Sequence, residues 1–558
     1  MKVIDRHFTP EKWEQLRTHP YFEDIRAELT QAVENYLNTE PPRIRFSDIH
    51  LFVETGNRYI FERKAEDYTN RMLAYFLSYM IFGDDKYLEP LADVIWNICS
   101  FESWTIPAHI SESKSLEERR CSMDLVSTRI GAVMSEVIYH IGDKLPELVV
   151  RRARAEVRER MIETFDKTAD NDIYWFHRNT NWSAVCIDNI LSCFLHLGTE
   201  EEIERNIPRM VHSAECYLSG LDDEGCCIEG YGYWGYGFGH FCAFADKLRS
   251  YTEGKIDMFK LDKVHQSALY QQHIMLSARY GLCFADANLG NTPAASFSHF
   301  LKNEYEDIEI PPLKPSFHVA SLTRAYLWCD PELAECEFKP KSFIFKNAQW
   351  FVHHNEKYSF GAKAGHNNEI HNHNDVGSFI FLKDGELSFL DPGAGEYDAG
   401  YFAPVTRYKL FACSSRGHSV PVINGTYQLN NNKKSTVYEE AEDRYTFSME
   451  NVYDVEELTS LKRSFLCEKD GVVITDTYEF NSAPESIEER FVALTPISLL
   501  EGRAFTANAV LEFDPSLYDA EIQSEVYSGP GGRKQTGYAL NLRVKNPTSC
   551  MELKFKIS

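Results

Sequence analysis

Apolar positions along the first three hundred residues recur with a helical period. In RMLAYFLSYMIFG, Leu73, Phe76, Leu77 and Met80 fall at i, i+3, i+4 and i+7, and the run stops at Gly83. That is the spacing of an amphipathic helix ended by a glycine. The same punctuation returns at Gly142 in HIGDKLPELV and at Gly198 in HLGTEEEIER, intervals of 59 and 56 residues. Each glycine closes one helix, and the acidic residues after it open the next, where the helix dipole favours them. The interval fits a helical hairpin with its connections. The segment therefore reads as an array of α-hairpins, closed as a toroid or open as a solenoid.

Beyond about residue 340 the period becomes two. SFIFKNAQWFVHH, KYSFGAKAG, SFIFLKDGELSFLD and SFLCEKDGVVITDTYEF read as strands, with Asp384-Gly385 and Asp470-Gly471 where hairpin turns belong. Strand follows strand to the C-terminus, which predicts an antiparallel β-sandwich. Prolines cluster between Pro311 and Pro340 and mark the linker. The expected organisation is an α/α domain over 1–335 and a β-sandwich domain over 336–558.

Composition narrows the class. Of 558 residues, 43% are hydrophobic and 25% charged, as in soluble globular proteins, which excludes a disordered or fibrous chain. Lys and Arg total 58 against 84 Asp and Glu, a net charge of −26. So acidic a surface repels phosphate backbones, so neither nucleic acid nor an anionic membrane is an expected partner. The opening MKVIDRHFTPEKWEQLRTHPYF lacks the apolar core of a signal peptide, and Met72 to Phe82 is too short to span a bilayer. Fourteen cysteines show neither a disulfide-framework spacing nor a CxxC pair, so free thiols and a cytoplasmic address are expected.

Three segments carry chemistry. In GHNNEIHNHNDVGSF, His371 and His373 stand two apart and would share one face of a strand. Asp391 in FLDPGAG and His418 in SSRGHSVPVING stand in similarly Gly-rich polar turns. With His373 they make a candidate zinc set, a water or main-chain group completing it, and His371 is left for chemistry. In NDIYWFHRNTNWSAVC, Asn179 and Asn181 fall at a helix N-terminus, where an amide can donate to a substrate carboxylate; a plain N-cap role for Asn181 is equally open. In EGYGYWGYGFGHF, Tyr231, Tyr233, Trp234, Tyr236 and His240 interleave with five glycines. The pattern reads as an aromatic wall for sugar rings, with phenols placed for acid–base work.

Together these segments resemble the heparinase II/III-like superfamily of polysaccharide lyases, most closely in GHNNEIHNHNDVGSFIFLKDGELSFLDPGAGEY and on to SSRGHSVPVINGTYQ. The resemblance implies an alginate-lyase-type α/α toroid followed by a β-sandwich. It implies a structural divalent metal, usually zinc, on His373, Asp391 and His418. His371 matches the family's catalytic histidine and Tyr236 its catalytic tyrosine, with Tyr233 the alternative. Asn181 stands where relatives neutralise the uronate carboxylate; some have a histidine beside it, where this chain has Trp182. Tyr233, Trp234, Glu229 and His240 are expected to line the sugar site. Arg178, Trp182 and Arg416 join them.

The implied reaction is β-elimination on an anionic, uronate-containing oligo- or polysaccharide. Asn181, with His371, donates to the enolate-like charge as the C5 proton leaves to Tyr236, or to His371 acting with it, and the tyrosine also protonates the departing O4. A cation near the tyrosine is required, with Arg178, His240, Arg407 and Arg416 the candidates. The net charge then implies a locally positive cleft and short, exolytically cleaved substrates. Two other readings stand beside it. A glycoside hydrolase would need a carboxylate pair, for which Glu229 and Asp222 or Asp223 are available. A non-catalytic carbohydrate-binding protein would need neither Tyr236 nor His371.

Overall fold

The computed structural model describes residues 4–289, 293–318, 322–398 and 400–558. The chain forms two compact units: Met1–Leu221 with Trp234–His265 and Pro293–Glu337, and Asp222–Tyr233 with Gln266–Thr292 and Phe338–Ser558.

The first unit is built from helical hairpins that turn at the three predicted glycines. Helix Tyr59–Phe82 ends at Gly83, whose φ of 68° is left-handed and whose N–H returns to Tyr79 O. Leu88–Ile98 packs back on it. Leu125–Ile141 and Glu147–Val157 form the next pair. Asn181–Leu197 and Glu200–Ser219 form the third. Thr199 and Glu202 close a capping box at the start of the last helix, beside its acidic first turn. Helix Asn181–Leu197 is buried nearly all round and touches both Leu125–Ile141 and Glu200–Ser219, which makes it a core helix.

The glycine-rich aromatic segment is a helix, Tyr231–Tyr251, where backbone freedom was expected. Gly237 acts through its small size, since an added Cβ would come 3.0–3.1 Å from Tyr217 and Asn181. Trp234 and Phe238 pack with Phe297 at ring separations of 5.0 and 6.0 Å, and Phe238 stacks on Phe241.

In the second unit, strands Phe343–Phe345, Trp350–His354, Tyr358–Lys363, Phe379–Lys383 and Glu386–Phe389 form an antiparallel sheet in chain order. Asp384 and Gly385, both at positive φ, make the predicted two-residue turn. An eight-stranded sheet has Cys550–Ile557, Gly471–Phe480 and Leu458–Glu468 near its middle. Its turn falls on Lys469-Asp470, one residue early, because Gly471 already pairs with Glu468. A four-stranded sheet contains Ile487–Ala493 and Lys534–Val544. Phe351, Phe360, Phe379, Phe465, Phe491 and Phe555 join the three sheets in one core.

The second unit takes up the chain from Phe338 onward, and residues 222–233 and 266–292 cluster with its strands. Ser359 Oγ, for example, donates to Leu276 O at 2.6 Å. Among the described residues no helix is long and apolar enough to cross a membrane.

Candidate active site

In the second unit, His371 and His373 lie in an irregular loop, not on the strand their spacing predicts, and His371 adopts a φ of 61°. What unites them is Asp286, from the segment that the helical half contributes. His371 Nδ1 lies 2.6 Å from Asp286 Oδ2, and His373 Nε2 lies 3.0 Å from Asp286 Oδ1. Arg407 Nη2 donates to both oxygens at 3.1 and 3.2 Å, and the Tyr401 hydroxyl donates to Oδ1. Burial pushes the Asp286 carboxyl up, but the hydrogen bonds from His371 and His373 and the charges of His373 and Arg407 outweigh it and hold it well below the carboxylate range. An ionised Asp286 accepts only, so both imidazoles donate to it. His371 thus turns its other ring nitrogen, Nε2, away from Asp286. That nitrogen lies 3.6 Å from Glu229 Oε2, and the Tyr233 ring stacks on the imidazole at 4.2 Å. Burial raises the Glu229 carboxyl, against the charge of His371.

His373 Nδ1, His418 Nδ1 and Asp391 Oδ2 are buried and find no hydrogen bond of good geometry. His418 Nδ1 is 2.9 Å from Asp391 Oδ2, and His373 Nδ1 is 3.7 Å from Asp391 Oδ1. The outer atoms are all engaged: His373 Nε2 on Asp286, His418 Nε2 on Ala412 O at 3.0 Å, and Asp391 Oδ1 on the Gly393 N–H at 2.9 Å. Inward-facing ring nitrogens and carboxylate oxygens with fixed outer partners are what a divalent cation satisfies, displacing any proton the imidazoles carry there. The three expected ligands thus fit a metal. Asp375, which the sequence reading missed, joins them: it gives Oδ1 to Lys363 Nζ at 2.7 Å, and its Oδ2 is likewise unpartnered.

In the first unit, Asn181 is the first residue of its helix after the N-cap Thr180. It packs against Gly237, where an added Cβ would come 3.1 Å from Asn181 Cβ and 3.0 Å from Tyr217 Oη. One residue earlier, Tyr236 keeps 40% of its surface exposed. With Arg129, His240 and Arg324 it lines a pocket of about 270 Å³. Burial raises its phenol above the ordinary range, and the charges of Arg129 and Arg324 act against that rise.

The His240 ring meets Tyr236 edge-on at 5.3 Å. His240 Nδ1 lies 2.7 Å from Asp188 Oδ2, and Asp188 also binds Lys247 Nζ at 2.6 Å and Arg324 Nη1 at 3.2 Å. Burial and the Arg324 charge lower His240 to about 4, so it is neutral at pH 7 and accepts through Nε2.

Several expectations are corrected. Trp234 is 1% exposed among Phe238 and Phe297 and has no face for a sugar. His240 is neutral and is not the cation required beside the tyrosine. Arg178 bonds back to Tyr174 O at 3.0 Å. Arg407 belongs to Asp286, and Arg416 to Glu525 at 3.3 Å and Lys409 O. The cations acting on Tyr236 are Arg129 and Arg324, both distant in sequence and in no motif. Trp182 sits edge-on to His109 and Tyr174 at 4.8 and 5.2 Å.

No family model and no curated protein matches this sequence. Solved structures do. A heparinase III is 11% identical at a TM-score of 0.63, over 99% of this chain and 92% of its own. The heparan sulfate lyase of Pedobacter heparinus, in a mutant form, is 11% identical at 0.58, over 100% and 92%. The chondroitin AC lyase of Streptomyces coelicolor A3, in complex with chondroitin sulphate, is 10% identical at 0.56, over 98% and 81%. Over nearly its whole length, then, the chain has the heparinase II/III-like polysaccharide lyase fold, an α/α toroid followed by an antiparallel β-sandwich.

Proposed function

We propose that the protein is a lyase that cleaves uronate-containing oligo- or polysaccharides by β-elimination, leaving a 4,5-unsaturated uronate end. The observation that carries this is the Tyr236 pocket: a phenol sharing its pocket with two arginines whose charges act on it, on a helix that packs at Gly237 against Asn181. In the proposed reaction the Asn181 amide donates to the uronate carboxylate, and Arg129 and Arg324 bind its charge. Their field stabilises the enolate-like state as the C5 proton leaves.

His371, oriented through Nδ1 by Asp286, is the proposed base, acting through Nε2. Tyr236, whose raised phenol stays protonated at neutral pH, is the proposed acid toward O4. A uronate 4-O ether thus loses the C5 hydrogen to His371 and the O4 group to the Tyr236 proton, and the C4–C5 double bond forms. Tyr233, stacked on the imidazole, and Glu229 hold His371 in place.

We further propose that a zinc-class ion rests on His373, Asp391 and His418, with Asp375 as fourth ligand. When bound it ties together the turns that carry those residues. The acidic exterior and the two-arginine pocket favour short anionic chains, so exolytic cleavage is proposed. The hydrolase reading is less favoured, since Asp222 Oδ1 accepts from the Glu224 and Cys226 N–H groups and so belongs to a turn.

The test is a panel of heparan-, chondroitin-, hyaluronan- and alginate-type chains with products resolved by size. Terminal, short products with ultraviolet-absorbing unsaturated ends are expected. Saturated new non-reducing ends would mean hydrolysis, and mixed internal products would remove exolytic action.

A further inference from the structure

Away from the Tyr236 pocket, the first unit gathers a second set of ligand side chains on its surface. His212 and Cys216 lie four apart on helix Glu200–Ser219 and so share a face. Their Nε2 and Sγ atoms are 3.7 Å apart. A tetrahedral zinc with bonds of about 2.0–2.1 Å to nitrogen and about 2.3 Å to sulfur sets such a pair about 3.6 Å apart. His177 reaches the same point from the connection before helix Asn181–Leu197, its ring 5.3 Å from that of His212. One ligand atom from each of the three lies within 4.8 Å of the others, and both histidines are exposed, free to close the remaining distance. The backbone beneath is already docked: Ser213 Oγ donates to Phe176 O at 2.8 Å. A side-chain set that needs only rotamer adjustment is a prepared site.

We propose that His177, His212 and Cys216 form a surface site for a thiophilic divalent ion of the zinc class, with water in the fourth position. Two imidazoles and a thiolate select zinc or cobalt over magnesium or calcium, which prefer oxygen donors. Binding forms one metal–sulfur and two metal–nitrogen bonds, and the Cys216 thiol proton goes to solvent. The ion links the Phe176–Arg178 connection to helix Glu200–Ser219, four residues ahead of Asn181. Occupancy therefore stiffens the chain that sets the Asn181 helix start. The site is independent of the proposed lyase chemistry and of the buried His373 set.

Its test is a cobalt(II) titration of the full chain, read by absorbance. Cobalt bound to thiolate gives a sulfur-to-metal charge-transfer band in the near ultraviolet. The expected result is one such band that disappears in Cys216→Ser, titrates at least tenfold more weakly in His177→Ala and His212→Ala, and is displaced by zinc. All three side chains are exposed or half-buried, so unchanged thermal melting of each apo variant confirms that folding is kept. No band in the wild-type protein, or a band unaltered in Cys216→Ser and so arising from another thiol such as Cys413, overturns the proposal.

Discussion

Asp286 holds two histidines with one carboxylate: His371 through Nδ1 and His373 through Nε2. Replacing it with asparagine leaves Arg407 buried against a neutral amide and offers N–H to one of the two imidazoles that need an acceptor. We expect Asp286→Asn to lower kcat by about 10–100-fold and to weaken metal retention by a similar factor. Steady-state rates and metal content after dialysis against a chelator check this. Tyr236→Phe removes only a hydroxyl from an open pocket, so it should cost about 10²–10⁴ in kcat with the melting temperature unchanged. Fluorimetric melting beside the rate measurement separates that loss from unfolding.

His373, Asp391 and His418 could be picked from the sequence because each stands in a polar, glycine-rich turn. Asp286 could not. It sits in LCFADANLG, 85 residues before His371, and nothing in its neighbourhood marks it except one acid in an apolar run. Arg129 and Arg324 were hidden for the same reason.

Within helix Tyr231–Tyr251 the glycines differ in what surrounds them, and that difference is measurable. A Cβ on Gly237 would meet Tyr217 and Asn181 at 3.0–3.1 Å, tight enough that these neighbours must give way, whereas a Cβ on Gly235 meets nothing within 4 Å. Gly237→Ala should destabilise the protein by about 1–3 kcal/mol through overpacking and displace Asn181. Gly235→Ala, in the same helix, should stabilise by about 0.5–1 kcal/mol because alanine loses less backbone entropy. Urea midpoints of the two variants should therefore move in opposite directions. Equal shifts would contradict the packing.

At this scale the sequence carried most of the fold. The hairpin glycines, the period-two strands and the Asp384-Gly385 turn are local signals. The Tyr231 helix was read as an open aromatic wall because glycine argues against helix by propensity. Tertiary packing overrode that preference, since only glycine lets the helix approach Asn181 and Tyr217 so closely.

Across the whole molecule, buried histidines set the response to acid. Burial lowers His140, His240, His299 and His354 to about 4. Between about pH 4 and 6.5 the unfolded chain protonates these four while the folded chain does not, so stability is lost as pH falls through that window. Burial raises Glu136 and Glu369 to about 7, which acts oppositely, since the folded state holds those two protons and loses stability as pH rises toward 7. His299→Gln removes one of the histidine contributions, so between pH 6.5 and 5 the variant's melting temperature should fall less, or rise more, than that of the wild type.

Net charge, read first as an argument against anionic partners, becomes an argument about where positive charge is concentrated. Arg129 and Arg324 stand at the Tyr236 pocket of a chain with a net charge of −26. The most direct test of the account is ultraviolet absorbance during digestion of uronate-containing oligosaccharides by the wild-type protein and by Tyr236→Phe. The account expects growing absorbance from the unsaturated uronate with at least one substrate class, and its near-complete loss in the folded variant. Cleavage without that absorbance, or absorbance that persists undiminished in Tyr236→Phe, would contradict it.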